Sequence, residues 1–417
     1  MFNKKLIENI FSLFVLQGSN YVLPLLTFPF LVRMLGTANF GITVFTTAFM
    51  QMFAVVTDYG FNVTATKKIT LNKHSIMKVN QIYNKVLTIK VLLTFLSFLL
   101  LLVLISFVPK LRVESGIYLV GFLAVIGNAI FPLWFFQGME NMRYITLLNV
   151  SAKFLSTILI FVFIRTPSNT ELAVLFQSFN FLLPGLIALL FIRLKFGVKF
   201  RPIFSVQVLK EELIEGVHVF MTNVWINVYV QGAVIITGFV AGDKAAGLYG
   251  IGQKVTAICA GFMQPVGQAI YPHMCTLYEN NIESFRKFKT NIIKVGVIAS
   301  VSLSLILLIF SKDFLLIFAG YYTEYTNDLI KLFAVATFFI MLNSLLTTII
   351  FVMNKYTKLQ KVYLSIAVVF CIASIPLTFY YGAYGMISSI IFVEGYVFIA
   401  CLLLAQSPKA KRFRLKP

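Results

Sequence analysis

Apolar stretches follow one another so closely in this sequence that almost no segment between them is long enough to form a soluble domain. The longest connecting segments, near 62–80, 193–211 and 273–291, each span about 20 residues. A helix needs about 20 mostly apolar residues to cross the roughly 30 Å hydrocarbon layer of a membrane. Because lipid-facing backbone must satisfy its own hydrogen bonds, we predict an all-α integral membrane protein with about twelve transmembrane helices. The predicted spans lie near 10–32, 41–61, 84–108, 116–137, 145–165, 171–192, 214–238, 249–272, 292–311, 328–353, 362–381 and 383–405.

Positive charge is distributed unevenly between the two predicted sides of the membrane. The 417 residues include 35 Lys and Arg against 15 Asp and Glu, a formal net charge of +20. With the amino terminus and alternate loops in the cytoplasm, 24 of the Lys and Arg residues lie on that side and 6 on the other. Such an excess is typical of short cytoplasmic loops, so both termini are predicted to be cytoplasmic. We interpret the basic clusters as topology anchors beside anionic lipid and expect no nucleic-acid partner.

The predicted spans divide six and six around a central basic segment. The tetrapeptide Asn39-Phe40-Gly41-Ile42 begins span 2, and Leu248-Tyr249-Gly250-Ile251 begins span 8, the equivalent position of the second half. Two related halves are a common plan in secondary transporters. We therefore predict an N-terminal six-helix bundle (1–192), a cytoplasmic linker (193–211), a C-terminal six-helix bundle (212–405) and a basic cytoplasmic tail (406–417).

Polar residues recur on one face of several predicted helices. Gln17 and Asn20 share a face of span 1, and Asn223 and Asn227 share a face of span 7, the matching helix of the second half. The commoner use of such stripes is hydrogen bonding between helices. Their presence in matching spans favours a water-accessible cavity between the halves.

Ionisable residues inside the predicted spans are a sharper signal. Lys90, Lys153, Lys254 and Glu394 lie within spans, and Asp58 lies nearer a span end. A charge at mid-helix costs at least about 2.5–3.5 kcal/mol on insertion scales, so it usually faces a cavity or a partner. Lys153 and Lys254 are close enough to helix ends for snorkelling to the surface to remain an alternative. The surplus of cations predicts a cavity that attracts an anionic solute, particularly a phosphate.

The sequence offers little support for enzymatic or metal chemistry. The four cysteines are scattered without a CxxC spacing and the three histidines are isolated, so neither a metal site nor a disulfide framework is predicted. No nucleophile is spaced to a histidine, and the longest outside loop, near 312–327, has little room for a catalytic centre. We expect a transporter without a cofactor, apart from a coupling ion.

Several short motifs lie along residues 1–290. They are Pro29-Phe30-Leu31-Val32-Arg33-Met34-Leu35-Gly36, Asn39-Phe40-Gly41, Asp58-Tyr59-Gly60-Phe61, Trp134-Phe135-Phe136-Gln137-Gly138-Met139-Glu140-Asn141-Met142, Gly247-Leu248-Tyr249-Gly250 with Lys254, and Gln264-Pro265 followed by Gln268-Ala269-Ile270-Tyr271-Pro272. Together these motifs resemble those of Wzx-type polysaccharide (O-antigen) flippases. The last third of the chain fits that family by hydropathy and length.

This resemblance implies a fold and a substrate. The family belongs to the superfamily of multidrug and oligosaccharidyl-lipid exporters, with two six-helix bundles arranged in a V. Its members move undecaprenyl-pyrophosphate-linked oligosaccharide, the O-antigen repeat unit, across the bacterial inner membrane by alternating access. Coupling to H⁺ or Na⁺ is expected, as are contacts with membrane lipids, an O-antigen polymerase and a chain-length regulator.

The resemblance also suggests roles for particular residues. Arg33, Lys153 and Lys254 would contact the pyrophosphate or gate the two halves, with Lys90 as a further cavity cation. The polar path for the sugars would be lined by Gln17, Asn20, Asn223 and Asn227. Asp58 and Glu140 would pair with the cations or carry a coupling proton. Alternatively, Arg33 is a periplasmic loop anchor and Glu140 forms a local ion pair with Arg143.

Two other functions remain open at this point. A drug or cation antiporter of the same superfamily would need buried acids to dominate its cavity, and cations dominate here. A membrane-embedded polysaccharide polymerase or glycosyltransferase would need catalytic groups at a surface, and no paired-carboxylate motif is present there.

Overall fold

The computed structural model describes residues 4–261, 263–353 and 355–406, and these form helices joined by short connections. A short 3₁₀ helix, Pro167–Asn169, precedes α8. The α-helices are α1 Lys4–Asp58, α2 Phe61–Asn72, α3 Ile76–Phe107, α4 Pro109–Val113, α5 Ser115–Ile130, α6 Leu133–Gly138, α7 Met142–Phe163, α8 Thr170–Phe196, α9 Val206–Val230, α10 Gly232–Val240, α11 Gly242–Gly261, α12 Met263–Asn280, α13 Ile282–Ile309, α14 Ser311–Phe318, α15 Glu324–Val352, α16 Tyr356–Tyr381 and α17 Ala383–Gln406.

The first helix is too long for one crossing. At 1.5 Å per residue, the 55 residues of α1 would extend about 80 Å, more than twice the hydrocarbon thickness. A kink divides it at Gly36, whose φ of 74° and ψ of 164° are not helical. Glycine adopts this positive φ without the steric penalty that a Cβ brings. α1 therefore supplies predicted spans 1 and 2, with a single-residue break where a short loop was expected.

Nine helical segments of the described residues are long and apolar enough to cross a membrane, or ten if α9 and α10, which meet at 44°, form one span. Dividing α1 at Gly36 adds one more crossing. Predicted span 8 lies on α11 and α12 and includes residue 262, which is outside the described residues; neither helix meets the same apolar criterion by itself. No strand occurs in the described ranges. The structure thus confirms an all-α membrane protein.

Contacts divide the chain into two compact units, Met1–Ile235 and Ile236–Pro417. The first unit includes α9, and the segment 197–205 between α8 and α9 is not helical. The proposed six-and-six division at 193–211 stays a prediction. Nearly all of the predicted tail 406–417 lies outside the described residues.

An aromatic cluster organises one end of the first unit. Trp134, Phe135 and Phe136, on the short helix α6, are fully buried against α2, α3, α7 and α8. Elsewhere in this unit, α5 and α8 approach closely at Gly127. A Cβ at this position would lie 2.3 Å from the backbone nitrogen of Leu182, so no other residue fits without moving the helices. These contacts hold α5, α7 and α8 around the cavity described below.

The second unit is built around α15, which packs against α11, α12, α13 and α17. α16 and α17 form a close pair, in which a Cβ at Gly385 would lie 1.8 Å from the carbonyl oxygen of Leu377. The middle of α17 is consequently buried among its neighbours.

Candidate functional site

The first unit contains a cavity of about 220 Å³ among α1, α5, α7 and α8. Its polar side chains include three amides and one ammonium, and the remaining walls are apolar. The lining residues are Leu16, Asn20, Asn128, Phe131, Leu133, Ile145, Asn149, Lys153, Phe181 and Pro184. Of the predicted site residues, the structure brings Asn20 and Lys153 together here.

Lys153 is held at the cavity wall by α1. The Lys153 ammonium donates a hydrogen bond to Asn20 Oδ1, and Asn20 Nδ2 donates to Gln17 Oε1 at 3.4 Å. These three residues therefore form a chain from the predicted polar stripe of α1 to the cation of α7. An ammonium has three N–H donors, and Asn20 is the one acceptor for Lys153 within the described residues. The remaining donors can bind a ligand in the cavity.

Lys90 and Asp58 lie behind the cavity wall and pair with each other. Lys90 is 1% exposed, and its Nζ donates to Asp58 Oδ1 at 3.1 Å. Asn62 Nδ2 donates to the other carboxylate oxygen, Oδ2, at 2.9 Å. Asp58 was expected to pair with Arg33, Lys153 or Lys254, or to carry a coupling proton, whereas the structure pairs it with Lys90. The charge of Lys90 is thus balanced locally.

Pro132 leaves a backbone hydrogen-bond acceptor available to Lys90 at the cavity wall. The carbonyl oxygen of Asn128 would ordinarily accept a hydrogen bond from the backbone N–H four residues later, but that residue is Pro132, which has none. Lys90 Nζ instead donates to this oxygen at 3.4 Å. Asn128 therefore connects the buried ion pair to the cavity through its backbone.

The remaining predicted residues of the first unit lie elsewhere. Arg33 is exposed beside the kink of α1, thirteen residues or about 20 Å along the helix from Asn20. Glu140, in the turn before α7, forms an ion pair with Lys73, with 2.7 Å between its Oε1 and Lys73 Nζ. We interpret Arg33 and Glu140 as surface residues of this unit.

On α9, Asn223 and Asn227 are half-buried. Asn227 Nδ2 donates to the carbonyl of Asn223 at 2.9 Å, an interaction within the helix. Lys254 belongs to the second unit, where its side chain is exposed on α11. None of these three residues lines the cavity around Lys153.

Sequence reasoning missed Asn128 and Asn149. Asn149 precedes Lys153 by four residues, so it lies on the same helical face and could have been identified from spacing. Asn128 is isolated in an apolar helix, and its place in the site depends on how α5 packs against α1 and α8. Hydropathy carries no signal for that rotation.

The Asp58-Tyr59-Gly60-Phe61 motif has a structural role as the turn from α1 to α2. Gly60 has a φ of 79°, and a Cβ there would lie 2.7 Å from Val219 Cγ1 on α9. The Tyr59 ring stacks on Phe220, with 4.5 Å between the ring centroids. The motif thereby packs the turn against α9 and places Asp58 next to α3.

An acidic group at the start of α9 was also missed. The buried Glu212 accepts from Lys68 at 2.6 Å through Oε2 and lies 3.8 Å from Lys85 Nζ through Oε1. Glu215 forms a second ion pair with Lys68 at 2.7 Å. The segment beside the predicted basic linker therefore contributes acids that neutralise lysines of α2 and α3.

Comparison with known proteins places the chain in a family. A family model described as polysaccharide biosynthesis protein matches residues 6–277. The chain belongs to this family. Two relatives carry the name "Putative O-antigen transporter". The one from Escherichia coli K12 is 31% identical over 406 residues, covering 96% of this chain and 97% of the relative. The one from Shigella dysenteriae is 25% identical over 390 residues, covering 93% and 96%.

Solved structures show what fold this family member has. An inward-facing multidrug resistance MATE family transporter of the MOP superfamily matches with a TM-score of 0.68 at 15% identity, covering 92% of this chain and 93% of that one. A eukaryotic MATE transporter matches with a TM-score of 0.59 at 16% identity, covering 97% and 96%. At these identities the likeness establishes the fold alone. The predicted exporter fold is confirmed at that level.

Proposed function

We propose that this polysaccharide biosynthesis family member is a flippase that moves undecaprenyl-pyrophosphate-linked oligosaccharide across the bacterial inner membrane by alternating access. The names of the two full-length relatives support an O-antigen substrate, and the MATE-type fold supports transport. The observation that carries the proposal is the cationic, amide-lined cavity around Lys153.

The chemistry of this cavity suits an anionic sugar-linked head. A pyrophosphate and its sugars lose their hydration when they leave water, and unpaired polar groups in an apolar medium cost several kcal/mol each. The Lys153 ammonium would form charge-assisted hydrogen bonds with a phosphate oxygen. Asparagine amides offer both donors and acceptors to hydroxyl groups. At about 220 Å³ the cavity is smaller than a typical ligand pocket of about 300–1,000 Å³, so it would hold the phosphate or one sugar ring at a time.

A drug or cation antiporter is the second candidate, because the structural neighbours include multidrug transporters. Such a protein would need an uncompensated acid at its binding site. In the described part of the first unit, no acid lines this cavity, and Asp58, which is connected to the lining residue Asn128 through Lys90, is paired with that lysine. Lys153 supplies the cavity's positive charge, which favours an anion.

The partners follow from the same flippase proposal: membrane lipids, an O-antigen polymerase, a chain-length regulator and a coupling ion, H⁺ or Na⁺.

Complementation of a strain that lacks its own flippase tests this function. The parent chain should restore surface polysaccharide on a gel in a strain that makes its matched repeat unit. Lys153→Gln, which removes the charge but keeps a polar side chain, should abolish rescue at normal membrane abundance. Lys331→Gln is the matched control, since Lys331 is an exposed lysine paired with Asp328.

Three outcomes would count against parts of this proposal. Rescue by Lys153→Gln would remove Lys153 from the substrate path. Failure of the parent while the lipid-linked unit accumulates on the cytoplasmic side would argue against flippase activity. Parent-dependent resistance to organic cations without any rescue would favour the antiporter.

A further inference from the structure

A carboxyl group is buried in the middle of the second unit. Glu394 lies midway along α17 and is 7% exposed. α17 packs against α11, α15 and α16. Glutamate is almost never fully buried without a partner, and an ionised carboxylate away from water is strongly penalised. The position therefore needs an explanation beyond packing.

Asn343 of α15 hydrogen-bonds to Glu394. Its Nδ2 donates to Glu394 Oε2 at 2.6 Å and to the Glu394 carbonyl oxygen at 3.0 Å. Asn343 is itself 6% exposed, and its Oδ1 is buried with no hydrogen-bond partner among the described residues. Leaving such an acceptor unsatisfied costs about 1–3 kcal/mol. The site thus holds a spare acceptor next to a carboxyl group, where a donor would be stabilised.

Three titratable groups of the described residues interact with Glu394, and each is ordinarily neutral. Tyr249 of α11, Tyr363 of α16 and Cys401 of α17 interact with it electrostatically. On the α15 side, Thr347 is in hydrogen-bond contact with the Tyr363 hydroxyl at 3.2 Å. Phenols and thiols titrate near pH 10 and 8.5, so these neighbours carry little charge at pH 7. Glu394 is therefore the group in this cluster whose charge can change.

The described lysines of the packed helices are solvent-accessible: Lys244, Lys254, Lys331, Lys358 and Lys361. The side chains of Lys254 on α11 and Lys361 on α16 are exposed. On α15, Lys331 is twelve residues or about 18 Å from Asn343 and pairs with Asp328. Within the described residues, none of these lysines forms an ion pair with Glu394.

We propose that Glu394 binds and releases the proton that couples transport, with Asn343 as its positioning residue. In the ionised state, Glu394 Oε2 accepts from Asn343 Nδ2, as the structure shows. In the protonated state, Oε2 donates its new O–H to Asn343 Oδ1 after the amide turns by half a revolution, which exchanges two groups of similar size. One proton arrives from water and leaves to water at the same oxygen, and no other covalent bond changes. The turn of the amide gives up the hydrogen bonds from Nδ2 to Oε2 and to the Glu394 carbonyl oxygen.

A metal ion such as Na⁺ is the competing ligand, and the donor set fits it less well. Hard cations in proteins take about six or more oxygen ligands. No group of three or more His, Cys, Asp or Glu side chains that could hold a metal occurs in the described ranges. The pair of Glu394 and Asn343 is sufficient for a proton.

Infrared difference spectroscopy of the purified full chain in lipid tests the site without a transport assay. A protonated carboxyl in an apolar environment gives a carbonyl stretching band apart from those of exposed acids. A band that appears as the pH falls should be lost in Glu394→Gln and retained in Glu324→Gln, since Glu324 is an exposed acid in the first turn of α15. An unchanged pH-dependent spectrum in Glu394→Gln would overturn the proposal. A band that responds to Na⁺ at constant pH would replace the proton by a metal ion.

A second experiment, by complementation, connects Glu394 to transport and rests on the proposed flippase function. In the complementation strain, Glu394→Gln should lose rescue at normal membrane abundance, and Glu324→Gln should keep it. Equal rescue by Glu394→Gln would overturn the coupling role. If the parent itself fails to rescue while the infrared band still depends on Glu394, the flippase proposal fails and the proton site stands.

Discussion

The buried pair of Lys90 and Asp58 gives a quantitative prediction about the first unit. With 3.1 Å between Lys90 Nζ and Asp58 Oδ1, Coulomb's law at an effective dielectric constant of 20 gives an attraction of about 5 kcal/mol. Removing one partner leaves the other charge uncompensated, and such changes cost about 3–5 kcal/mol in buried pairs. We therefore expect Lys90→Met and Asp58→Asn each to be strongly destabilising.

The double variant should recover most of this loss. Replacing both charges removes the desolvation penalty together with the attraction, and such replacements are often neutral or stabilising. In a domain of the size of this unit, about 235 residues, a loss of 1 kcal/mol in the free energy of unfolding lowers Tm by about 2–4 °C. A single substitution that costs about 4 kcal/mol should therefore lower Tm by about 8–16 °C. The double variant should lie well above either single variant.

A double-mutant cycle on the purified protein measures this coupling. Samples in detergent are heated, and the fraction that remains monodisperse is followed by fluorescence-detected gel filtration. Lys331→Met serves as the control, because Lys331 pairs with Asp328 at the exposed start of α15 and should change Tm little. A double variant whose loss equals the sum of the two single losses would refute the argument, since it would show that the two charges stabilise the fold independently.

Helix packing and a buried lysine give two further predictions. Gly127→Ala should lower membrane abundance and Tm, because its Cβ would meet the backbone of Leu182 at 2.3 Å, and overpacking costs about 1–3 kcal/mol; Gly18→Ala, with open space around it, should be neutral. Burial, with repulsion from Lys358 and Lys289, lowers the pKa of Lys355 below its usual range. Its protonated form is therefore disfavoured in the folded state, so this residue's contribution to stability should rise as the pH rises from 7 towards 10. Tm scans of the parent should show a steeper rise than those of Lys355→Met; equal slopes would contradict the interpretation.

The sequence was sufficient to predict the class of fold because the signal for a membrane helix is local. Predicted spans 10–32 and 41–61 both lie in α1, where apolar content alone indicates that the chain crosses. The shape of the connection was not predictable, because the kink at Gly36 depends on one residue's backbone conformation. Likewise, span 214–238 lies on α9 and α10, which are broken near 231, and hydropathy averages over such a break.

The candidate site was predicted in part for a related reason. The stripe of Gln17 and Asn20 and the cation Lys153 were each identified, and the structure joins them through hydrogen bonds. Which cation meets which acid depends on the rotation of packed helices, a property that no single helix encodes. Asp58 was consequently expected to pair with Arg33, Lys153 or Lys254, whereas the structure pairs it with Lys90.

Lys90 and Lys153 have different hydrogen-bond partners, and this difference determines the net charge of the cavity. Both are intramembrane lysines, but Lys90 contacts Asp58 and the Asn128 carbonyl that Pro132 leaves free, whereas Lys153 hydrogen-bonds to an uncharged amide. The acid therefore cancels the cation behind the wall and leaves the cation in the wall uncompensated. One net positive charge in a small polar cavity can attract a phosphate and still release it, because each added buried cation would deepen the attraction and oppose release. Under the proposed function, we infer that Asp58 would restrain the affinity of the cavity for an anion, although it does not line the cavity itself.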